Sequence, residues 1–324
     1  MVYIRSASSI SVQPIMAGIE NAAPASKAGF PATVIEPDYK QYISPALIRR
    51  MSPIIKYGVA AGMQCLQQAG VTQPEAVITG TGLGCLRDTQ KFLEAFLTTP
   101  EGTLSPTTFI QSTHNTISGQ IALITKCYGY NMTFVQNALS FEYALLDGQM
   151  MVSEGADNIL VGGTDEKIAF LDLVAQNMAL SDSYIQKISE GASFFLLTNQ
   201  KENVLAQLTD VYCETANSIN TQQTIAAFLA KHNLHGTDID CLVYGDNNFN
   251  GADTIAETWQ GTSLNYIDYC GYYFTNSGFG LHLALQILQG QYPNGFTLPS
   301  TPKKVLLLNN YQNKSLALTL IQQP

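Results

Sequence analysis

Residues 134–166 read FVQNALSFEYALLDGQMMVSEGADNILVGGTDE, and their layout decides the fold. A short apolar strand runs into a tight junction at Asn137-Ala138. A helix follows over about 140–153. A second strand at 158–161 then ends in Gly162-Gly163-Thr164-Asp165-Glu166. By itself this is an ordinary β-α-β unit of an α/β protein.

The same stretch resembles the nucleophile segment of the β-ketoacyl synthases, the condensing enzymes of the thiolase superfamily. There a strand runs into a cysteine at the N-terminus of a buried helix, and a later strand ends in GG-x-E or a variant. Tyr143-Ala144-Leu145 falls on the family's H-A-I, Asp147-Gly148 on its D-A, and the cysteine position falls on Ala138. The unpaired amides and positive dipole end of a helix start lower a thiol's pKa. The thiolate then carries the acyl chain covalently, splitting one hard step into easier ones. Ala138 offers a methyl group, which cannot attack a thioester.

Further agreements follow in chain order. Val2-Tyr3-Ile4 begins a strand where the family has its first, although Ser6-Ala7-Ser8-Ser9 replaces the usual glycines. The run from Ile43 to Met51 resembles the segment that opens the first long helix. Residues 55–69 carry small and apolar residues at helical spacing and end in Gly70, a helix-stop signal. Residues 76–84 resemble the next strand with its glycine-rich exit. Residues 104–122 resemble the approach to the family's N-T-x-x-G-x-x-A helix at the dimer interface. Residues 190–197, EGASFFLL, match its E-G-A strand.

The resemblance also implies two catalytic histidines in the second half, which polarise a thioester and stabilise an enolate. Asp246 stands at the first position, where its charge would repel an enolate. Phe274 stands at the second, and Tyr269 replaces the accompanying lysine. The loop whose backbone amides serve the oxyanion hole shrinks to Asn309-Asn310-Tyr311-Gln312-Asn313-Lys314-Ser315, without glycine. Plainer readings stand beside these. The stretch 246–251, DNNFNG, has the composition of a turn. The aromatic cluster Tyr266, Tyr269, Tyr272, Tyr273 and Phe274 reads as core packing. His114, His232, His235 and His282 show no metal-ligand spacing, so no metal and no cofactor is expected; His114 reads as a structural hydrogen-bonding residue.

Composition points the same way. The chain has 324 residues, 46% hydrophobic and only 13% charged, enough to bury a large interior. The fold class expected is α/β with a thiolase-like fold, two related βαβαβαββ halves forming a layered α-β-α-β-α core. The halves are 1–199, with cap and dimer insertions, and 200–324, within one compact unit. The net charge of −9 argues against a nucleic-acid partner. None of the 6 cysteines forms a CxxC pair, and neither a leader nor a membrane-spanning run is legible. The expectation is a reduced, cytoplasmic protein without membrane insertion.

Within the resembled family, loss of cysteine, histidines and lysine together characterises chain-length factors, which pair with a ketosynthase subunit as a heterodimer and shape its acyl tunnel. That role is expected here, closest in style to the aryl polyene and flexirubin-type subgroup. Phe109, Gln111, His114, Phe134, Gln136, Asn137 and Phe141 are the candidate interface and tunnel residues. The acidic chain implies that acyl carrier protein docks mainly on the partner. The alternatives are a malonyl decarboxylase using Gln136, an enzyme with a relocated nucleophile such as Cys270 or Ser140, and a homodimeric scaffold or acyl-binding module with no ketosynthase partner.

Overall fold

A computed structural model describes residues 1–13, 15, 18–24, 33–98, 104–247 and 254–324. The first part of the chain supplies β1 (Val2–Ile10), α1 (Pro45–Ile48), α2 (Pro53–Ala69), β2 (Ala76–Gly80), α3 (Leu86–Thr98), α4 (Pro106–Gln111) and α5 (Thr116–Thr125). It continues with β3 (Tyr130–Phe134), α6 (Ser140–Ser153), β4 (Ile159–Asp165), α7 (Ala169–Asn177), α8 (Asp182–Ile185) and β5 (Gly191–Thr198). The remainder supplies β6 (Ala206–Thr215), α9 (Thr221–Lys231), β7 (Cys241–Asn247), α10 (Thr254–Thr258) and β8 (Ser263–Asn265). It ends with α11 (Ile267–Cys270), α12 (Ser277–Leu288), β9 (Lys304–Tyr311) and β10 (Ser315–Gln322).

The strands form one mixed sheet in the order β3-β2-β4-β5-β1-β6-β10-β9-β7-β8. Read outward from the β1–β6 contact, both sides give the same sequence of first, fifth, fourth, second and third strand. Directions repeat as well. β1 pairs antiparallel with β5, β5 with β4, and β4 runs parallel to β2 as β2 does to β3. The second set, β6, β10, β9, β7 and β8, has the same pattern. The two copies meet at a short antiparallel seam, Val2↔Leu208 to Ile4↔Ala206.

Strand alternation explains the layers, because successive side chains leave opposite faces. Val77, Leu160, Phe194 and Leu196 face one way and pack with Ile54, Val59 and Leu66 of α2 and Ile117 and Ile121 of α5. Ile78, Val161, Phe195 and Leu197 face the other way and meet Phe141, Ala144 and Leu145 of α6. In the second copy, Val243, Val305 and Leu307 meet Phe279 and Leu283 of α12, while Leu242, Leu306 and Leu318 meet Phe228 and Leu229 of α9. The result is helices, sheet, α6 with α12, sheet, helices. With both faces buried, the strands are near-continuous apolar runs.

Gly80 shows how tightly α6 is seated. A Cβ there would lie 2.3 Å from the Ser140 carbonyl oxygen, so any other residue would push the helix start off the end of β2.

Several local expectations are corrected. The strand before the junction is β3, an edge strand with half-exposed residues that ends at Phe134. The second strand runs on through Gly162, Gly163, Thr164 and Asp165, because Phe194 packs where a Gly162 side chain would be. The run from Ile43 to Met51 forms only the single turn α1; the long helix begins at Pro53, whose fixed φ and missing N–H suit the first helical position. β9 extends through Tyr311, and the stretch read as a shortened loop is a tight hairpin whose connection is Gln312, Asn313 and Lys314. Gln312 and Asn313 both have positive φ, and the Lys314 amide donates to the Tyr311 carbonyl, as a type I′ turn requires. Of the turn expected at 246–251, Asp246 and Asn247 belong to β7, and the remainder lies outside the described residues. Among the described residues, no helix is long and apolar enough to cross a membrane, and no group of three potential ligands could hold a metal ion.

Candidate functional site

The helix α6 is launched by a folded elbow. β3 leaves the sheet at Phe134, Asn137 takes a left-handed φ of 50°, and residues Asn137–Leu139 make one tight helical turn. Asparagine tolerates that conformation better than most residues. The Ser140 hydroxyl clasps the elbow: it accepts from the Gln136 amide at 2.8 Å and donates to the Asn137 carbonyl at 2.7 Å. Ala138 sits inside the elbow, 4% exposed.

Three consecutive residues of β9 reach three of the four positions that the resemblance reads as degenerate. The Asn309 side-chain amide donates to the Ala138 carbonyl at 2.8 Å. The Asn310 amide donates to the Asp246 carboxylate at 2.8 Å. The Tyr311 ring lies 6.0 Å from the Phe274 ring. Strand pairing sets this up, since Gly245, Asp246 and Asn247 of β7 lie opposite Asn309, Asn310 and Tyr311. Sequence reading placed Ala138, Asp246 and Phe274 in one site. The fold keeps Ala138 and Phe274 on the α12 side of this strand end. By strand alternation Asp246 and Asn310 continue the opposite face that carries Leu242 and Leu306, so Asp246 does not join them and Asn247 lines the cavity instead. Tyr269 makes none of these contacts and is core, 3% exposed on α11.

Around this strand end lie buried carboxylates that sequence reading did not single out. Asp165 accepts from the Thr81 hydroxyl, the Gly82 and Leu83 amides, and both the amide and hydroxyl of Thr275. Burial pushes its pKa up while those donors pull it back. It ties the exit of β2 to the start of α12. Glu142 on α6 is fully inside, receives the Asn309 amide at 2.7 Å, and is pushed up to about 7 by burial. Glu166 is likewise pushed up to about 7 by burial, against the Arg87 amide at 2.9 Å and its guanidinium at 3.6 Å. The signal was present as carboxylates directly after Gly162-Gly163 and inside an otherwise apolar helix. Phe274, Asn247, Tyr311, Asp165 and Glu166 line one mostly apolar cavity of about 230 Å³, covered by α7 and α8.

No described thiol or imidazole lines this cavity. The histidines are occupied elsewhere or exposed: His232 binds Asp210 at 2.9 Å, His282 binds Ser9 at 2.8 Å, and His114 is exposed beside Gly84. Burial raises the Cys270 thiol far above its usual range and the Cys65 and Cys241 thiols to about 12. Ser140 is held by its clasp without a base. Neither suggested relocated nucleophile therefore has an activating partner among the described residues.

The expected interface and tunnel residues divide into two groups. Phe109, His114, Gln136 and Asn137 are exposed, with Phe109 packed on Phe92 at 5.5 Å. Gln111 bonds the Arg50 carbonyl and lines a surface cavity of about 400 Å³. Phe134 ends β3 and stacks on Tyr143 at 6.3 Å. Phe141 is different: it is fully buried against Phe195 and lines none of the described cavities.

Comparison with known proteins places these features. Residues 22–238 match the family described as "Beta-ketoacyl synthase, N-terminal domain". The 3-oxoacyl-[acyl-carrier-protein] synthase 2 of Vibrio cholerae serotype O1 is 28% identical over 137 residues, 40% of this chain. That match spans only 33% of the relative's length. Among solved structures, the ishigamide ketosynthase/chain length factor superposes with a TM-score of 0.81 at 17% identity, over 100% of this chain and 99% of that one. A β-ketoacyl synthase from Burkholderia phymatum gives 0.78 at 13%, over 100% and 99%. A ketosynthase in complex with its chain length factor from Xenorhabdus doucetiae gives 0.73 at 14%, over 100% and 98%.

Proposed function

This chain belongs to the β-ketoacyl synthase family, and from that premise we propose that it is a non-catalytic, chain-length-factor-like subunit. It pairs with a β-ketoacyl-ACP synthase and shapes the tunnel that receives the growing acyl chain. One observation carries the reading: Asn309 and Tyr311, on one face of β9, reach Ala138 and Phe274, so the scaffold of a condensing site is kept with a methyl and a phenyl group in it. A methyl cannot form a thioester, and a phenyl group can neither polarise a carbonyl nor stabilise an enolate.

The edge of the sheet supports a partner. β3 pairs with β2 on one side and with no described strand on the other. Tyr130, Met132 and Val135 are exposed along it, and Leu123, Tyr128, Phe109 and Ile110 are exposed on the neighbouring segments. An unpaired edge flanked by apolar side chains is a template for pairing with another chain. The partner is a ketosynthase subunit, and the acyl carrier protein, itself acidic, docks mainly on that partner rather than on a chain of net charge −9. The pathway class proposed is polyketide or polyene biosynthesis, with the aryl polyene and flexirubin-type subgroup as the nearest style.

Co-expression with a ketosynthase subunit from the same organism, purification on a tag carried by this chain, and mass measurement of the complex test the reading. A one-to-one complex supports it. Recovery of this chain alone counts against it.

A further inference from the structure

The second polar centre of the molecule lies where the two strand repeats part company. β1 pairs with β6 only through Val2, Tyr3 and Ile4. The β1–β5 register then slips between Ile4 and Ser6, leaving Arg5 as the extra residue of a β-bulge. Bulges re-aim a side chain and are built features rather than defects. Every other residue of β1 is buried, and Arg5 is the only one left half-buried. Its side chain lines a cavity of about 340 Å³ between β1, α2 and α12.

That cavity is rich in donors. Gln64 and Gln68 stand one turn apart on α2, and His282 and Gln286 stand one turn apart on α12, so each pair shares a helix face. The Gln64 carbonyl oxygen accepts from the Ser8 hydroxyl, which leaves its amide hydrogens unused. Ser9 joins Ser193 at 2.8 Å and His282 Nδ1 at 2.8 Å, fixing the imidazole in place. Burial lowers His282 to about 4, so it is neutral. No acidic side chain is among the described lining residues, and no described group forms an ion pair or hydrogen bond with the Arg5 guanidinium. The exposed Glu20 carboxylate lies against Gly18 on one wall but makes no ion pair with Arg5, so this half-buried cation has no bonded counter-charge among the described residues. In a chain of net charge −9 this is an unusual place for a cation.

We propose that this cavity binds a small oxyanion, a carboxylate or a phosphate, held by Arg5 and the free amide hydrogens of Gln64 and Gln68. The Ser6-Ala7-Ser8-Ser9 run, which stands in place of the family's glycines, then has a use. Its hydroxyls occupy the acceptor sites of Gln64 and anchor His282, and so keep the cavity a donor surface. The site lies at the β1–β6 seam and is separate from the one around β9.

Equilibrium dialysis of the full chain against labelled inorganic phosphate and, separately, labelled malonate tests it, with chloride holding ionic strength constant. Saturable binding of either anion at one site is expected, and which anion binds identifies the source. Binding should weaken about tenfold or more in Arg5→Gln. The exposed Gln68→Leu should weaken it by a smaller factor with an unchanged melting temperature. Absence of saturable binding, or equal binding by wild type and both variants, would overturn the proposal. Should Arg5→Gln fail to fold, Gln68→Leu decides alone.

Discussion

The Asn309 side-chain amide bridges the Ala138 carbonyl at 2.8 Å and the Glu142 carboxylate at 2.7 Å, and so fastens the elbow of one strand repeat to a core strand of the other. The Tyr266 hydroxyl in turn donates to the Asn309 side-chain oxygen at 3.3 Å. The elbow at Ala138, proposed above as the emptied nucleophile position, is thus a structural joint in this chain.

Removing that joint should be costly. Asn309→Leu leaves the Ala138 carbonyl and the Glu142 carboxylate buried without their donor. A loss of roughly 2–4 kcal/mol is expected, read by urea denaturation at pH 7. A loss under about 0.5 kcal/mol would show that the bridge is incidental.

Glu142 makes stability depend on pH. Its folded pKa, about 7, lies above the ordinary carboxylate value, so the folded state holds a proton that the unfolded state gives up. The stabilisation is complete below about pH 4 and is lost as pH rises through 7. From the size of the shift it is worth roughly 3 kcal/mol. Glu166, also raised to about 7, adds in the same direction. Denaturant unfolding should therefore show stability falling between pH 5 and 8, apart from other groups. Glu142→Gln should flatten part of that fall and be the more stable protein at pH 8. An unchanged slope in the variant would remove Glu142 from the account.

Much of this could be read in the sequence where local and global signals agree. The helix Ser140–Ser153 was bounded correctly because its elbow, its apolar spacing and the strand after it all specify one β-α-β unit. Gly70 ends α2 with a φ of 70°, as its position after a helical run implies. The misreadings share a cause. β3 is an edge strand, so its residues lack the apolar run of a strand covered on both faces. Asn309, Asn310 and Tyr311 look like loop by composition, yet they complete β9, because Ser315, Leu316 and Ala317 of β10 pair with them. Tertiary pairing overrode local propensity there. Glu142 is not singled out, and Asp165 and Glu166 read only as the end of the Gly162-Gly163 motif, because a single sequence does not show which carboxylates are buried.

The exposed edge gives a test of partner binding. Met132→Asp places a charge on β3 at a position that is 39% exposed in the free chain. Its melting temperature should shift by little, while affinity for the ketosynthase should fall about tenfold or more. Sedimentation of the mixed subunits measures this. Unaltered affinity would move the interface away from β3.

Tunnel shape gives a test of chain length. In the reconstituted pair, Phe109→Ala or Phe134→Ala removes bulk that an added two-carbon unit would otherwise meet, since a packed site does not admit extra methylenes without strain. Longer products are expected by mass spectrometry. Identical product lengths for both variants would exclude these residues from the tunnel wall.

The central claim meets its most direct measurement in a condensation assay with malonyl-acyl carrier protein, run with this chain alone, with the ketosynthase partner, and with the partner's cysteine replaced by alanine. The account predicts product only from the pair with an intact partner cysteine, and no carbon dioxide release from this chain alone. Condensation or decarboxylation by the isolated chain, or condensation by the pair lacking the partner's thiol, would contradict it.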